Sequence, residues 1–219
     1  ATAGRRADFI ATAADNADYA DAGTYFAASE SGTIDADAYE DGNELADGTV
    51  NIAATSQDCY SGVPLNALEF RDLDVPYLAI PVAAYLKVWP VTHDDPGLTI
   101  RADKTHSPAA LSTTTDDISD RTLTTAGAAW NAANVGTGAY RNSPDVSAVL
   151  QEVFALPGWT RETSDLVLVL TDNGTGGRLA YVTSEGTEGQ RPVLHIEWVT
   201  NGVILQAEAG DVIEYMQDI

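Results

Sequence analysis

Residues 192–199 read Pro-Val-Leu-His-Ile-Glu-Trp-Val, and this short stretch decides the fold class. Leu194, Ile196 and Trp198 occupy alternate positions, and a period of two is the pattern of a β-strand that buries one face. An amphipathic helix would instead repeat its apolar residues at every third or fourth position. The stretch therefore predicts a strand that lies over a hydrophobic core.

Similar runs recur along the chain, separated by Gly, Pro, Asn, Asp and Thr. Many short strands joined by turn residues are typical of an all-β sandwich or barrel. The predicted strands are Thr49–Ala54, Ala67–Leu73, Ala83–Val91, Leu98–Ala102, Leu166–Thr171, Arg178–Thr183, Pro192–Val199 and Val203–Gln206.

One segment between these strands predicts a helix. Ser143 is a natural N-cap, Pro144 suits the first turn, and Asp145 complements the helix dipole. The residues that follow repeat at helical spacing and form one apolar stripe: Val146, Val149, Leu150, Val153 and Phe154. We expect a single short amphipathic helix that plugs or covers the sandwich.

The charge of the chain excludes one large class of partner. Asp and Glu number 33 against 11 Lys and Arg, which gives a formal net charge of -22. A nucleic-acid-binding protein needs cations to neutralise phosphates, so we expect no DNA or RNA partner. Such an acidic surface suits a saline setting, and a halophilic or marine source is one explanation of it. No run of residues is apolar enough to predict a membrane anchor.

Motifs for catalysis are missing from the sequence. The chain has one cysteine, Cys59, which excludes an internal disulfide and a cysteine-based zinc site. The three histidines do not form an HExxH pattern, and no G-x-S-x-G motif occurs. We therefore expect no enzymatic activity and no catalytic residues.

Clustered carboxylates give one candidate metal site. Asp35, Asp37, Glu40 and Asp41 lie close together in the sequence, and carboxylate oxygens are the ligands that Ca²⁺ prefers. No EF-hand loop organises them, so solvated turns are the alternative explanation. These four residues are the candidate ligands of a structural Ca²⁺.

Aromatic side chains could form a platform for sugars, because a ring face binds the apolar face of a pyranose. Three of the four tryptophans, however, lie in or beside predicted strands or at the end of the predicted helix. We expect all four to pack in the core. The same expectation, burial in the core or at interfaces, holds for five tyrosines: Tyr60, Tyr77, Tyr85, Tyr140 and Tyr181.

Several segments together resemble a known module. They are Ser119, Arg121 and Thr122 followed by Trp130, then Ser143-Pro144-Asp145 leading to Gln151-Glu152, then Pro157-Gly158-Trp159, and the closing strand Pro192–Trp198. Residues 34–42 and 49–58 are similar to the acidic opening and first strand of such modules. The chain thus resembles a jelly-roll module of bacteriophage virion proteins and secreted bacterial proteins, akin to the carbohydrate-binding-module-like domains called DNRLRE.

The resemblance implies the organisation of the chain. It covers residues 33–199, which we expect to form a jelly-roll-type β-sandwich with one short helix. Residues 1–32 would form an N-terminal arm, and residues 200–219 a C-terminal extension. The arm is rich in Ala and Asp and is expected to become ordered by packing on another surface.

The resemblance also implies a function without catalysis. The expected function is that of a virion structural protein, in a head, tail or fibre, whose partners are copies of itself and other virion proteins. The alternative is a carbohydrate-binding module of an extracellular or cell-surface protein that binds a surface glycan. A glycan-active enzyme would need a convergent acid and base, and the sequence nominates none.

The acidic composition generates a prediction about stability. We expect the melting temperature to rise with salt or divalent cations, because screening relieves the self-repulsion of a chain of charge -22. Thermal unfolding should be followed across a sodium chloride series, with and without a chelator. A melting temperature that stays flat in both series would contradict the prediction.

Overall fold

The computed structural model describes residues 23–26, 29–201 and 204–207. Nearly all regular structure in these residues is β-strand. The strands are β1 Gly23–Phe26, β2 Ser31–Asp37, β3 Glu40–Glu44, β4 Val50–Asn51, β5 Ser56–Cys59, β6 Leu65–Phe70, β7 Ile80–Val88, β8 Pro90–Asp95, β9 Gly97–Ala102, β10 Ala128–Asn131, β11 Arg141–Asn142, β12 Leu166–Asp172, β13 Arg178–Val182, β14 Val193–Val199 and β15 Ile204–Ala207. The described residues contain one helix, α1, at Ser147–Phe154.

Strands β2 to β14 form two layers. One layer is a six-stranded sheet in the order β10-β9-β12-β6-β3-β4. The other consists of a four-stranded sheet, β11-β7-β14-β2, and a three-stranded sheet, β5-β13-β8. Only Trp89 separates β7 from β8, so one length of chain supplies a strand to both of these sheets. All the pairings are antiparallel, and the chain passes repeatedly between the layers. The expected all-β sandwich is confirmed.

The main core lies between the two layers. Leu194 and Ile196 of β14 are fully buried in it, and Trp198 is nearly so. The same cluster contains Leu166, Leu168 and Leu170 of β12, which come from the opposite layer. The alternation in residues 192–199 therefore has the expected physical cause, which is burial of one face of the strand.

A second, smaller core lies on the other face of the six-stranded sheet. Val167 and Val169 of β12 pack there against Ile118 and Leu111, which come from the long segment between β9 and β10. Because β12 is covered on both faces, its sequence is a continuous apolar run instead of an alternating one.

The helix covers the main core, as expected. All five residues of the predicted stripe are buried, and α1 packs against β7 and β9. Its predicted start is wrong, because the helix begins at Ser147 and not after Ser143. Residues 141–146 first run beside β7, where the Ser143 hydroxyl accepts the Leu86 N–H at 3.0 Å. Val146 is the N-cap and supplies no side-chain hydrogen bond, while the carboxylate of Asp145 before it accepts the Ser147 N–H at 3.0 Å.

Several strand boundaries differ from the prediction. The single strand expected at residues 83–91 is broken at Trp89, and the strand expected at residues 49–54 is reduced to β4. Six strands were not predicted, namely β1, β2, β3, β5, β10 and β11. The sequences of β2, β3 and β5 contain Gly, Asp and Glu, which are residue types that strands generally disfavour.

A two-stranded ribbon extends from one end of the sandwich. Strand β14 pairs with β2 so that Val199 lies opposite Ser31. The same register continues in β1 and β15, where Phe26 lies opposite Ile204. Thr200 links the two ladders, because its N–H donates to the Glu30 carbonyl at 2.8 Å. The described parts of the expected arm and extension therefore pair with each other, and the remaining parts lie outside the described residues.

No helix in the described residues is long and apolar enough to cross a membrane.

We predict that the helix stripe is essential for stability. Val149→Asp should destabilise the protein by ~3 kcal/mol or more, because an unpaired charge would enter the core. Val149 is 1% exposed. The matched control is Ala148→Asp, since Ala148 is the exposed neighbour on the same helix. Urea unfolding of both variants tests this, and equal stabilities would show that the stripe is not buried.

Candidate functional site

The outer face of the four-stranded sheet collects the most varied set of functional groups. Asp35 of β2 lies opposite His195 of β14, which lies opposite Tyr85 of β7. The flanking residues Ile34 and Ile196 belong to the main core or pack against it, so the row of three points outward. We call this row, with Lys87 and Glu197 beside it, the outer-face cluster.

His195 is the centre of the outer-face cluster. Its Nδ1 lies 2.9 Å from Asp35 Oδ1, and its Nε2 lies 3.3 Å from Glu197 Oε1. The His195 side chain is 11% exposed, and its ring stacks on the Tyr85 ring, with centroids 4.5 Å apart. Both ring nitrogens face carboxylates, so a protonated imidazole would donate a hydrogen bond to each of them.

Lys87 gives the outer-face cluster its permanent positive charge. Its Nζ lies 2.7 Å from Asp35 Oδ1 and 5.7 Å from the centroid of the Tyr85 ring. The hydrogen bond from Lys87 is the main cause that lowers the pKa of Asp35, and partial burial opposes it. The pair is exposed to solvent, which limits its contribution to stability.

This arrangement is suited to binding hydroxyl groups. Carboxylates accept hydrogen bonds from hydroxyls, the ammonium of Lys87 donates them, and the tyrosine ring adds apolar surface. His195 covers one face of the Tyr85 ring. A ligand would therefore contact the polar groups more than an open aromatic platform.

The structure separates the four candidate calcium ligands into two groups. Asp35 and Asp37 lie on β2, in the four-stranded sheet, whereas Glu40 and Asp41 lie on β3, in the six-stranded sheet. Asp37 is exposed and Asp41 is fully buried. Within the described residues, no three His, Cys, Asp or Glu side chains are placed to hold a metal ion together. Calcium at these residues stays a prediction.

Arg121 and Glu152 fasten the segment between β9 and β10. The Arg121 guanidinium donates to Asp103 at 3.0 Å, to Asp117 at 3.2 Å and to the Ala109 carbonyl at 2.9 Å. Glu152 of α1 accepts the backbone N–H groups of residues 125 and 126 at 3.0 and 2.6 Å. The role of these side chains in this structure is to anchor a loop.

The tryptophans mostly occupy the core, as expected. Trp130, Trp159 and Trp198 are at most 3% exposed, and the Trp159 indole N–H donates to the Val75 carbonyl at 2.8 Å. Trp89, at the break between β7 and β8, is half-buried and packs edge-on against Tyr140. The prediction that the tryptophans pack in the core is therefore confirmed for three of the four.

Sequence reasoning did not find the outer-face cluster. Only Asp35 was nominated, and its partners Tyr85 and His195 are distant in the sequence. The alternation in β14 placed His195 on the polar side of the strand. Its neighbours depend on strand order and register, which the sequence pattern does not specify.

We predict that Lys87 controls the ionisation of Asp35. Lys87→Met should raise the pKa of Asp35 toward its ordinary value, while the free energy of unfolding falls by less than about 1 kcal/mol. An NMR titration of the Asp35 carboxyl carbon measures this. The control is Lys104→Met, because Lys104 pairs with Glu152 and not with the outer-face cluster. An unchanged Asp35 pKa in Lys87→Met would contradict the prediction.

No protein-family model matches the chain, and no curated protein matches it either.

Proposed function

We propose that this protein is a non-enzymatic structural subunit that assembles with copies of itself. The family resemblance supports a virion as the setting, with other virion proteins as further partners. The observation that carries the proposal is the ribbon formed by β1 and β15, which continues the β2–β14 ladder beyond the sandwich.

The ribbon consists of two strands, and a sheet of that size normally needs support from other elements. Among the described residues, β1 and β15 pair only with each other. A two-stranded ribbon alone is at best marginally stable in water. Its sequence includes apolar residues that are costly to leave in water: Tyr25, Phe26, Ile204 and Leu205. A neighbouring subunit would supply the missing packing surface.

The sheet edge beside the ribbon offers a second point of attachment. Strand β2 is the last strand of its sheet, and in the described part of the chain its outer edge pairs with no other strand. Unpaired edges are templates for strands from other chains. Asp35 and Asp37 on this strand oppose random association by charge.

Charge should make the assembly depend on salt. Copies of a chain with net charge -22 repel one another, and salt screens this repulsion. Assembly through the ribbon is therefore expected to strengthen as the ionic strength rises.

We predict that disrupting the ribbon in the full chain abolishes assembly. Leu205→Pro removes a backbone donor from β15 and should convert an oligomer, a multiple of 23.1 kDa, to a monomer with unchanged β-sheet circular dichroism. Light scattering of both proteins at several salt concentrations measures the masses.

The control for this experiment is another proline substitution. Glu188→Pro lies at an exposed turn position before Gly189, whose φ is 81°, and this turn geometry accepts proline. It should leave the mass unchanged. A wild-type protein that is a monodisperse monomer at micromolar concentration in all salts would overturn the proposal.

Carbohydrate binding is the second candidate, and the outer-face cluster favours it. Carboxylates, an ammonium and a tyrosine lie together there within reach of solvent. The protein would then be an extracellular or cell-surface module that binds a glycan as a monomer. A glycan array with wild type, Tyr85→Ala and Lys104→Met as control tests this. The candidate is supported if Tyr85→Ala loses glycan binding while the wild type and Lys104→Met retain it. It is contradicted if the wild type binds no glycan.

A further inference from the structure

Two of the most exposed apolar side chains in the described residues lie around the start of β7. Leu78 is 53% exposed and Val82 is 57% exposed. Ile80, at the alternate position between them, is half-buried, whereas Ala79 and Pro81 are buried. This alternation in burial places Leu78, Ile80 and Val82 on the outer side of the four-stranded sheet.

Val199 extends this apolar surface to the neighbouring strand. It is the last residue of β14, it lies opposite Ile80, and it is half-buried. The ribbon begins just beyond it, because Thr200 links the β2–β14 ladder to the ribbon. We call Leu78, Ile80, Val82 and Val199 the ribbon-side patch.

A β-bulge in β7 turns Val82 toward solvent. The register between β7 and β14 shifts at this point, since Glu197 lies opposite Ala83. The next residue, Trp198, lies opposite Pro81, so Val82 is the extra residue. Val82 is exposed and Ala83 is half-buried, so two successive residues face outward where an undisturbed strand would bury one of them. Bulges of this kind re-aim side chains beside functional surfaces.

The backbone of Leu78 is strained. Its φ is 57°, in the left-handed region that a bulky residue rarely adopts. Two hydrogen bonds fix this conformation: the Leu78 N–H donates to the Phe154 carbonyl at 2.9 Å, and the Ala79 N–H donates to the Pro76 carbonyl at 3.1 Å. Strained residues persist where the surrounding structure holds them, and they cluster at binding surfaces. An exposed leucine does not offset the strain within the monomer, which points to a contact outside it.

The half of the outer face nearest the ribbon carries little charge. This half extends from Ser31 to Thr33 on β2 and includes the patch residues of β7 and β14. Among the described strand residues of this half, Glu197 is the one that carries a charge. The acidic residues of β2, Asp35 and Asp37, lie toward the other end. Copies of a chain with net charge -22 therefore meet the least repulsion here.

We propose that the ribbon-side patch is the seat of the ribbon of a second copy of this chain, in a dimer with two-fold symmetry. The inference rests on the proposed function and names the surface to which the ribbon binds. The ribbon matches the patch in chemistry, because its sequence supplies four large apolar residues: Tyr25, Phe26, Ile204 and Leu205.

The positions of the two surfaces make this contact closed. The ribbon continues the β2–β14 ladder in the same register, so it extends away from the patch of its own copy. Ribbon and patch nevertheless lie at the same end of the sandwich, because Val199 of the patch directly precedes Thr200. When the ribbon of one copy lies on the patch of the other, a two-fold axis places the second ribbon on the first patch. One contact then covers the apolar surfaces of both copies.

The test compares the dissociation constants of full-length variants by analytical ultracentrifugation. The wild type should reach a mass of twice 23.1 kDa. Val82→Asp should weaken the dimer by about tenfold or more, because it places a charge against the apolar ribbon. The matched control is Val91→Asp, which adds the same charge at a residue that is 37% exposed on β8, beyond the other end of β7.

Leu78→Asn separates a role in binding from a role in folding. Asparagine accepts a positive φ more readily than leucine, so the variant monomer should unfold at the same urea concentration as the wild-type monomer. Its dimer should nevertheless dissociate more readily, because the apolar side chain is lost from the patch.

The outcomes distinguish this inference from the proposed function. A wild-type dimer whose dissociation constant is the same in Val82→Asp and Val91→Asp would overturn the inference and leave the proposed function standing. A wild-type mass above two copies would overturn the two-fold symmetry. A wild type that is monomeric in all salts would overturn the proposed function itself.

Cross-linking identifies what lies on the patch. Chains with Val82→Cys and chains with Gln206→Cys are mixed and treated with a short thiol-specific cross-linker, and the native Cys59 does not compete because it is 2% exposed. Linked pairs that contain one chain of each variant are expected. Absence of these mixed pairs, or links that form only within a chain carrying both substitutions, would overturn the contact between copies.

Discussion

Burial of β12 on both faces is the constraint on which the architecture depends. The strand runs through the six-stranded sheet, and each of its faces needs an apolar cover. The opposite layer and α1 cover one face. The other face is covered by the segment between β9 and β10, which has little regular structure of its own. That segment must be held in place by side chains, because no hydrogen-bonded ladder of strands spans it.

Carboxylates perform much of this fastening. Glu44 Oε2 accepts the N–H groups of Ile118 and Ser119 at 2.8 and 2.9 Å, and Glu69 Oε2 accepts the Leu111 N–H at 3.2 Å. Glu152 anchors the far end of the segment. Charge-assisted hydrogen bonds of this kind are stronger than neutral ones. Some of the acidic residues thus stabilise a loop through hydrogen bonds to its backbone, in addition to keeping the surface hydrated.

The sequence was informative where burial is periodic. The alternation of β14 and the stripe of α1 identify those elements because one face of each is buried. Strand β2 is polar and was not predicted. It is stabilised by hydrogen bonds to β14, and the composition of a segment does not show with which strand it pairs. The prediction of Ser143 as the helix N-cap was wrong because its hydroxyl accepts a hydrogen bond from Leu86 of β7 instead of one from the helix. Asp35 was nominated as a calcium ligand, while its partners on the outer face, Tyr85 and His195, follow from register alone.

The shared register of the two ladders has a mechanical consequence. Gly23 lies opposite Ala207 in the ribbon, so the two ends of the described chain lie side by side. A force that separates these ends would open the antiparallel pairs one after another, in the manner of a zipper. The hydrogen bonds would break singly instead of sharing the load in shear. In this pulling direction the ribbon would yield before the sandwich, where β7 supports β14 on its other edge.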